Sequence, residues 1–260
     1  MPASFPPLSP DHSRVDFVSD RSRQYQLWLH DLANGDTRAL TDAPATAVTA
    51  PHWNADGRSI VAVERGATGR TLVEIDVSTL RRRVLSSASD NVLMGMPSVE
   101  PETYLFVSGT SGRDKRLELV RDPGLPQESR RLLAQAVARV ELDAASGAAY
   151  YTTTAEQGLF RIDLAGGEAR LVSKAITSLT NGWHVVDGSI WYISDIEVDT
   201  ANLRALDPAS GEDRVISRFA AIMRDIDFGV MPDRRSIIAV PFSSEDTDVG
   251  VLQLRRAATR

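Results

Sequence analysis

The chain has 260 residues, 42% of them hydrophobic and 25% charged, with a net charge of −6. That is ordinary for a folded globular protein, and long enough for one large all-β domain. The acidic balance speaks against a nucleic-acid-binding face, which is usually basic. The absence of cysteine excludes disulfides, thiolate metal sites and a cysteine nucleophile.

The first element is a polar turn followed by an apolar strand, SPDHSRVDFVS (9–19). Next come an alternating strand ending on an aspartate, LWLHD (27–31), a glycine-containing turn, LANGDTR (32–38), and the phrase Arg38-Ala39-Leu40-Thr41. The same order then returns. The turn and strand recur as NADGRSIVAVE (54–64), EPETYLFVS (100–108), DAASGAAYYTT (143–153), VDGSIWYIS (186–194) and MPDRRSIIAVP (231–241). The alternating strand recurs as LVEID (72–76), LELVRD (117–122), LFRID (159–163), LRALD (203–207) and VLQLR (251–255). The closing phrase recurs from Arg83, Arg131, Arg170 and Arg214, at spacings of 45, 48, 39 and 44 residues.

With an inner strand ahead of each turn, every unit holds four strands over roughly 44 residues, the size of a propeller blade. The expected fold is therefore all-β: a single six-bladed β-propeller of four-stranded blades over 1–260. Its units fall at about 8–42, 51–87, 97–134, 137–173, 181–217 and 225–257. Two segments carry helix-like spacing instead, RRLLAQAVARVELDAA (130–145) and RFAAIMRDIDF (218–228). The repeat phase predicts an outer strand, a connection and an inner strand at both. The sixth unit stops after its third strand, and an open edge invites unwanted pairing. Either residues before Leu8 complete that blade, or a longer chain does.

The stretch 9–42 resembles the TolB-type propeller repeat, a WD-repeat-like unit. It matches at Ser9, Pro10, Asp11, Ser19, Asp20, Arg21, Trp28, Leu40 and Thr41, and departs at His12, where the family has glycine. Unit two matches at Trp53, Asp56 and Gly57, and unit six at Pro232 and Asp233. The resemblance implies a propeller of the kind found in periplasmic TolB, in prolyl-oligopeptidase-like enzymes, and behind winged-helix domains of bacterial transcriptional regulators. GLFRIDLAGGEARLVS (158–173) is most similar to that last group. By resemblance the chain is a non-enzymatic sensory or scaffold module that binds a protein or small ligand, with an output domain upstream. Its compartment would be periplasmic behind a membrane helix and cytoplasmic otherwise. The alternatives are a propeller gating a hydrolase and an envelope scaffold.

The residues offer little chemistry of their own. VSGTSG (107–112) lacks the Gly-x-Ser-x-Gly spacing of a nucleophile elbow, and His12, His30, His52 and His184 lie in separate units. DID (225–227) and EDTD (245–248) carry carboxylates but fit no calcium loop. Gly166-Gly167 has no following helix or lysine to cradle phosphate, and reads as a turn. LRRRVLS (80–86) and RRAATR (255–260) read as solvated faces. No catalytic residue, metal ligand or cofactor is expected, and no direct nucleic-acid contact or membrane span. The candidate binding surface is the channel mouth at the ends of the inner strands, with His52, Trp53, Trp183, His184, Arg224 and Asp225. The competing reading packs the tryptophans between neighbouring blades.

Overall fold

The computed structural model describes residues 8–42, 47–110, 112–180, 182–194, 200–220, 228–230, 236–239 and 250–253. Its strands form six meander sheets in chain order. The first holds β1 (Arg14–Ser19), β2 (Gln26–Asp31) and β3 (Thr37–Ala39). The second holds β4 (Ala47–Trp53), β5 (Ser59–Gly66), β6 (Gly69–Asp76) and β7 (Arg82–Val84), and the third β8 (Val92–Pro97), β9 (Thr103–Ser108), β10 (Arg116–Arg121) and β11 (Ser129–Gln135). The fourth holds β12 (Val137–Asp143), β13 (Ala148–Thr153), β14 (Leu159–Asp163) and β15 (Arg170–Ser173). The fifth holds β16 (Trp183–Val186), β17 (Ser189–Ser194), β18 (Thr200–Leu206) and β19 (Asp213–Ala220). The last holds β20 (Phe228–Val230), β21 (Ser236–Ala239) and β22 (Gly250–Gln253).

These are the four-stranded blades of an all-β propeller. The expected count of six four-stranded blades does not hold: among the described residues only four sheets have four strands, and the first and last have three. The first sheet lacks an inner strand, for which Leu8, bridged to Val15, is the only described trace. The last lacks an outer one. Pairing of residues 2–7 with 249–254 lies outside the described residues.

The described residues fall into two compact units, one within 4–137 and one from Ala138 onward. In the first unit, β5 shows how a blade is buried. Ile60 and Ala62 pack with Leu27, Leu29 and Leu40 of the first sheet, while Val61 and Val63 pack with Val92, Tyr104 and Phe106 of the third. A strand covered on both faces reads as an unbroken apolar run, as SIVAV does. The second and third sheets approach so closely that a Cβ at Gly95 of β8 would collide with the Leu72 side chain of β6. In the second unit, Tyr150 and Leu159 pack with Trp183, Ile190 and Tyr192, and Trp191 and Leu203 pack with Phe228 and Ile237.

The helix-like spacing of 130–145 is coincidental. Leu132 and Leu133 lie on β11 and Val140 on β12, with Ala136 between them at φ +54°. The repeat phase is right there, and at 218–220; residues 221–227 lie outside the described set.

The recurring aspartates close hairpins. Asp31, Asp76 and Asp207 each accept the backbone N–H two residues on, from Ala33, Ser78 and Ala209, at 2.9, 2.9 and 2.8 Å. The residue four positions on donates its N–H back to the aspartate carbonyl: Gly35, Leu80 and Gly211. Its φ is +77°, +57° and +77° respectively, the left-handed region that favours glycine. Leu80 thus takes a glycine's place, and so does His12 at φ +58° in the first inner turn.

The inner turn Asn54-Ala55-Asp56-Gly57 is likewise structural. Asp56 Oδ1 accepts the Arg58 N–H, and Gly57 has φ +67°. Asn54 Nδ2 donates to Ser59 Oγ at 2.6 Å and to Glu74 Oε1 at 2.7 Å. Arg83, the arginine of the closing phrase, donates to Glu74 at 2.9 Å and reaches the third sheet at Glu102 (2.6 Å) and the Tyr104 hydroxyl (2.7 Å). Burial and the nearby Glu74 push the Tyr104 hydroxyl up to about 12, although Arg83 pulls the other way.

Candidate binding surface on the inner strands

Of the six expected surface residues, the structure places four. Arg224 and Asp225 lie outside the described residues. His52 and Trp53 close β4 in the first unit; Trp183 and His184 open β16 in the second.

In the first unit, Trp53 is half-buried against the core between the first and second sheets. The Arg14 guanidinium lies 5.1 Å from its ring centroid and donates to the Gly57 carbonyl at 2.9 Å. Trp53 therefore packs between neighbouring sheets. His52 Nδ1 donates to the Ala50 carbonyl at 3.1 Å. Beside them sits Asp16 of β1, which the sequence reading does not single out. Its side chain is fully buried. Burial pushes its carboxyl up to about 8, only partly offset by the indole N–H of Trp53 and by its own backbone.

In the second unit, Trp183 is fully buried among Tyr150, Ile190 and Tyr192. The adjoining His184 belongs to an ionic cluster on two inner strands, β12 and β16, with Phe228 of β20 against it. Its Nδ1 lies 3.0 Å from Glu141 Oε1, and its Nε2 lies 3.4 Å from an Arg139 guanidinium nitrogen. Arg139 also donates to Glu141 Oε1 at 2.9 Å, and the Val185 N–H donates to Glu141 Oε2 at 2.8 Å. The guanidinium stands 5.4 Å from the Trp183 ring, and Phe228 of β20 meets the imidazole edge-on at 4.8 Å.

Burial works to raise the Glu141 carboxyl, but the His184 imidazole and the Arg139 guanidinium outweigh it and hold it at about 2. Glu141 is therefore an anion at any ordinary pH. As a pure acceptor it requires the proton of a neutral His184 on Nδ1, leaving Nε2 as an acceptor for Arg139. His184 and Glu141 side chains remain 18% and 21% exposed, so solvent or a ligand reaches them. The cluster thus offers an imidazole of defined tautomer, a cation and an aromatic edge at one end of three strands.

Arg139 and Glu141 are missing from the sequence-based surface because they fall in the segment with helical spacing. The available signal was the alternation Arg139-Val140-Glu141 at inner-strand phase. The carboxylate-rich stretches 225–227 and 245–248 lie outside the described residues. Among the described residues, no group of three or more His, Asp and Glu side chains is placed to hold a metal ion, and no helix is long and apolar enough to cross a membrane.

No family model matches the chain, and no curated protein sequence does. Solved structures do. TolB from Acinetobacter baumannii superposes with a TM-score of 0.64 at 16% identity, covering 85% of this chain and 57% of that one. The β-propeller domain of Swd1 (Cps50) from Myceliophteria thermophila gives 0.66 at 12% identity, covering 99% and 87%. A puromycin hydrolase mutant gives 0.64 at 18% identity, covering 92% of this chain and 42% of the hydrolase. At these identities the likeness is one of fold: a TolB-like, WD40-type β-propeller. The chain spans little more than half of that TolB.

Proposed function

We propose that the chain is a non-enzymatic binding propeller, serving as the sensory or scaffold part of a bacterial regulator. Its recognition surface is the partly exposed inner-strand cluster Arg139, Glu141 and His184. One observation carries this reading. The middle strands of these blades are apolar and buried on both faces, whereas here two inner strands carry a partly exposed ionic group. Ionic groups of this kind, edged by aromatic rings, suit recognition better than core packing. The occupant is a protein segment or small ligand with polar groups matched to an imidazole and a guanidinium. Binding acts on an attached domain only through differential affinity for two states.

The test is affinity capture with the wild type and with His184→Ala/Glu141→Gln, checking by circular dichroism that both are folded. The expected result is a partner or ligand retained by the wild type and lost from the variant. Equal retention removes the proposed surface. Because a carboxylate–imidazole pair is also a general acid–base device, peptide arylamides are assayed in parallel. Turnover that disappears in the same variant would replace the binding reading with a hydrolytic one.

A further inference from the structure

The two ends of the first unit are unlike. A meander sheet places its first and third turns at one end, and in each of the first three sheets a backbone hydrogen bond ties them. Leu32 donates to the Ser13 carbonyl at 2.9 Å, Val77 to Arg58 at 2.9 Å and Asp122 to Glu102 at 2.8 Å. Neighbouring sheets are joined here as well, through Arg14 to the Gly57 carbonyl (2.9 Å) and Arg83 to Glu102 (2.6 Å). This end therefore consists of the turns 9–13, 32–36, 54–58, 77–81, 98–102 and 122–128. Leu32, Leu80, Val99 and Leu125 lie in four of them, each between 43% and 51% exposed. Among the described residues, the turns and connections at the opposite end expose one large apolar side chain, Tyr25. The corresponding turns of the second unit, 144–147, 164–169, 187–188 and 207–212, expose none. Single apolar residues scattered over a surface are ordinary, but their collection at one end marks an interaction face. Leu80 adds to this: it takes φ +57° where Gly35 and Gly211 stand in the equivalent hairpins, so its exposed side chain is held at a cost in backbone strain.

Charge identifies the occupant. The six turns hold seven carboxylates against two arginines, Arg58 and Arg81, whereas the opposite end of the unit holds four carboxylates against four cations. Glu100, Glu102 and Glu128 are paired with arginines of the flanking strands, which leaves four carboxylates against the two. We propose that this turn end docks a cationic amphipathic segment of a partner protein, whose apolar side chains cover Leu32, Leu80, Val99 and Leu125 and whose lysines or arginines meet the surplus carboxylates. A second copy of the chain is a poorer occupant, because the chain carries a net charge of −6 and would bring acid to acid. The face shares no residue with the inner-strand cluster, and its test stands or falls without partner capture.

The probe is a synthetic amphipathic peptide of leucine and lysine, about 14 residues long and so roughly 20 Å as a helix. Its leucine–glutamate counterpart is the control. Both are titrated into the full chain, with amide shifts mapped by NMR and affinity read by calorimetry. The lysine peptide should perturb the amides of 32–36, 77–81 and 122–128 and bind more weakly as salt rises, while the glutamate peptide should not bind. Leu32→Gln/Leu80→Gly/Leu125→Gln should weaken binding roughly tenfold or more, since each change removes apolar area that the peptide would cover. All three positions are exposed and glycine suits position 80, so the variant is expected to fold; the map of the wild type decides even if it does not. Shifts confined to 20–25 and 109–115, or no binding at all, overturn the proposal. Equal affinity for the wild type and the variant overturns it too, leaving only charge attraction. Self-association of the wild type that disappears in the variant would assign the face to a second copy instead.

Discussion

Two carboxylates, Asp16 in the first unit and Glu141 in the second, end in opposite states. Asp16 lies beside Trp53 with no cation bonded to it, and burial carries its carboxyl up to about 8. Glu141 lies between His184 and Arg139, which hold it at about 2 against desolvation. Both depth and the supply of partners separate them: Asp16 is fully buried, whereas Glu141 is 21% exposed and ion-paired. Burial alone disfavours a charge, and specific donors tip the balance back toward it. The Arg14 guanidinium is stacked on the Trp53 ring and bonded to the Gly57 carbonyl. The first unit uses its arginine to close a turn, the second to hold a charge.

The comparison breaks most directly at Glu141. Glu141→Ala leaves Arg139 and His184 facing each other without their anion, and should destabilise the folded chain by about 3 kcal/mol at pH 7, read as urea midpoints. Because the folded carboxyl titrates near 2 rather than at 4.5, Glu141 stabilises the fold above pH 4.5, and that contribution is lost as pH falls through about 2. The variant should therefore lack the wild type's loss of stability in that window. An unchanged acid limb would mean that Glu141 is not held by its partners.

Asp16 should behave in the opposite sense. Between pH 3.8 and 8 the folded carboxyl keeps a proton that the unfolded chain has released, so Asp16 makes the fold less stable as pH rises across that window. Asp16→Asn keeps the shape without the charge. It should raise stability by about 2 kcal/mol at pH 8, and by much less at pH 5. Equal gains at both pH values, measured by thermal melts, would refute a neutral buried acid.

A smaller contrast lies in the hairpins. In the second unit Gly167 and Gly211 follow their aspartates by four residues, where the first unit has Gly35 once and Leu80 once. Leu80 bears the left-handed conformation with a side chain 46% exposed, so little packing is lost on its removal. Leu80→Gly should stabilise by about 1 kcal/mol. The smallest effect should come from His12→Gly, a few tenths of a kcal/mol to about 1, because a polar residue tolerates this region better than leucine. A destabilised Leu80→Gly variant in chemical denaturation would show that the side chain packs more than its exposure implies.

How much of this could be read from the residues follows from which forces act locally. The turns and the terminal aspartates were legible because a left-handed φ and an aspartate closing its own hairpin leave marks within five positions. The strand order followed from their recurrence. The short last sheet was legible in a sixth unit that stops after its third strand; the three-stranded first sheet was not, since a repeat count takes the earlier units as whole. Asp16 escaped notice because it alternates with Val15 and Phe17, and in a one-sided sheet that pattern places it in solvent. In β1 Asp16 alone is fully buried while its apolar neighbours are half-buried, so the alternation misleads. Trp183 and His184 were found by type, but their partners were not. Arg139 and Glu141 lie 45 and 43 residues away from His184, and no local pattern reports a contact at that separation.

Gly95 and Leu72 share one volume between two sheets. A side chain at residue 95 therefore forces Leu72 to shift, and the spacing of the second and third sheets rests on that pair. Gly95→Ala combined with Leu72→Val should recover part of what each change loses singly.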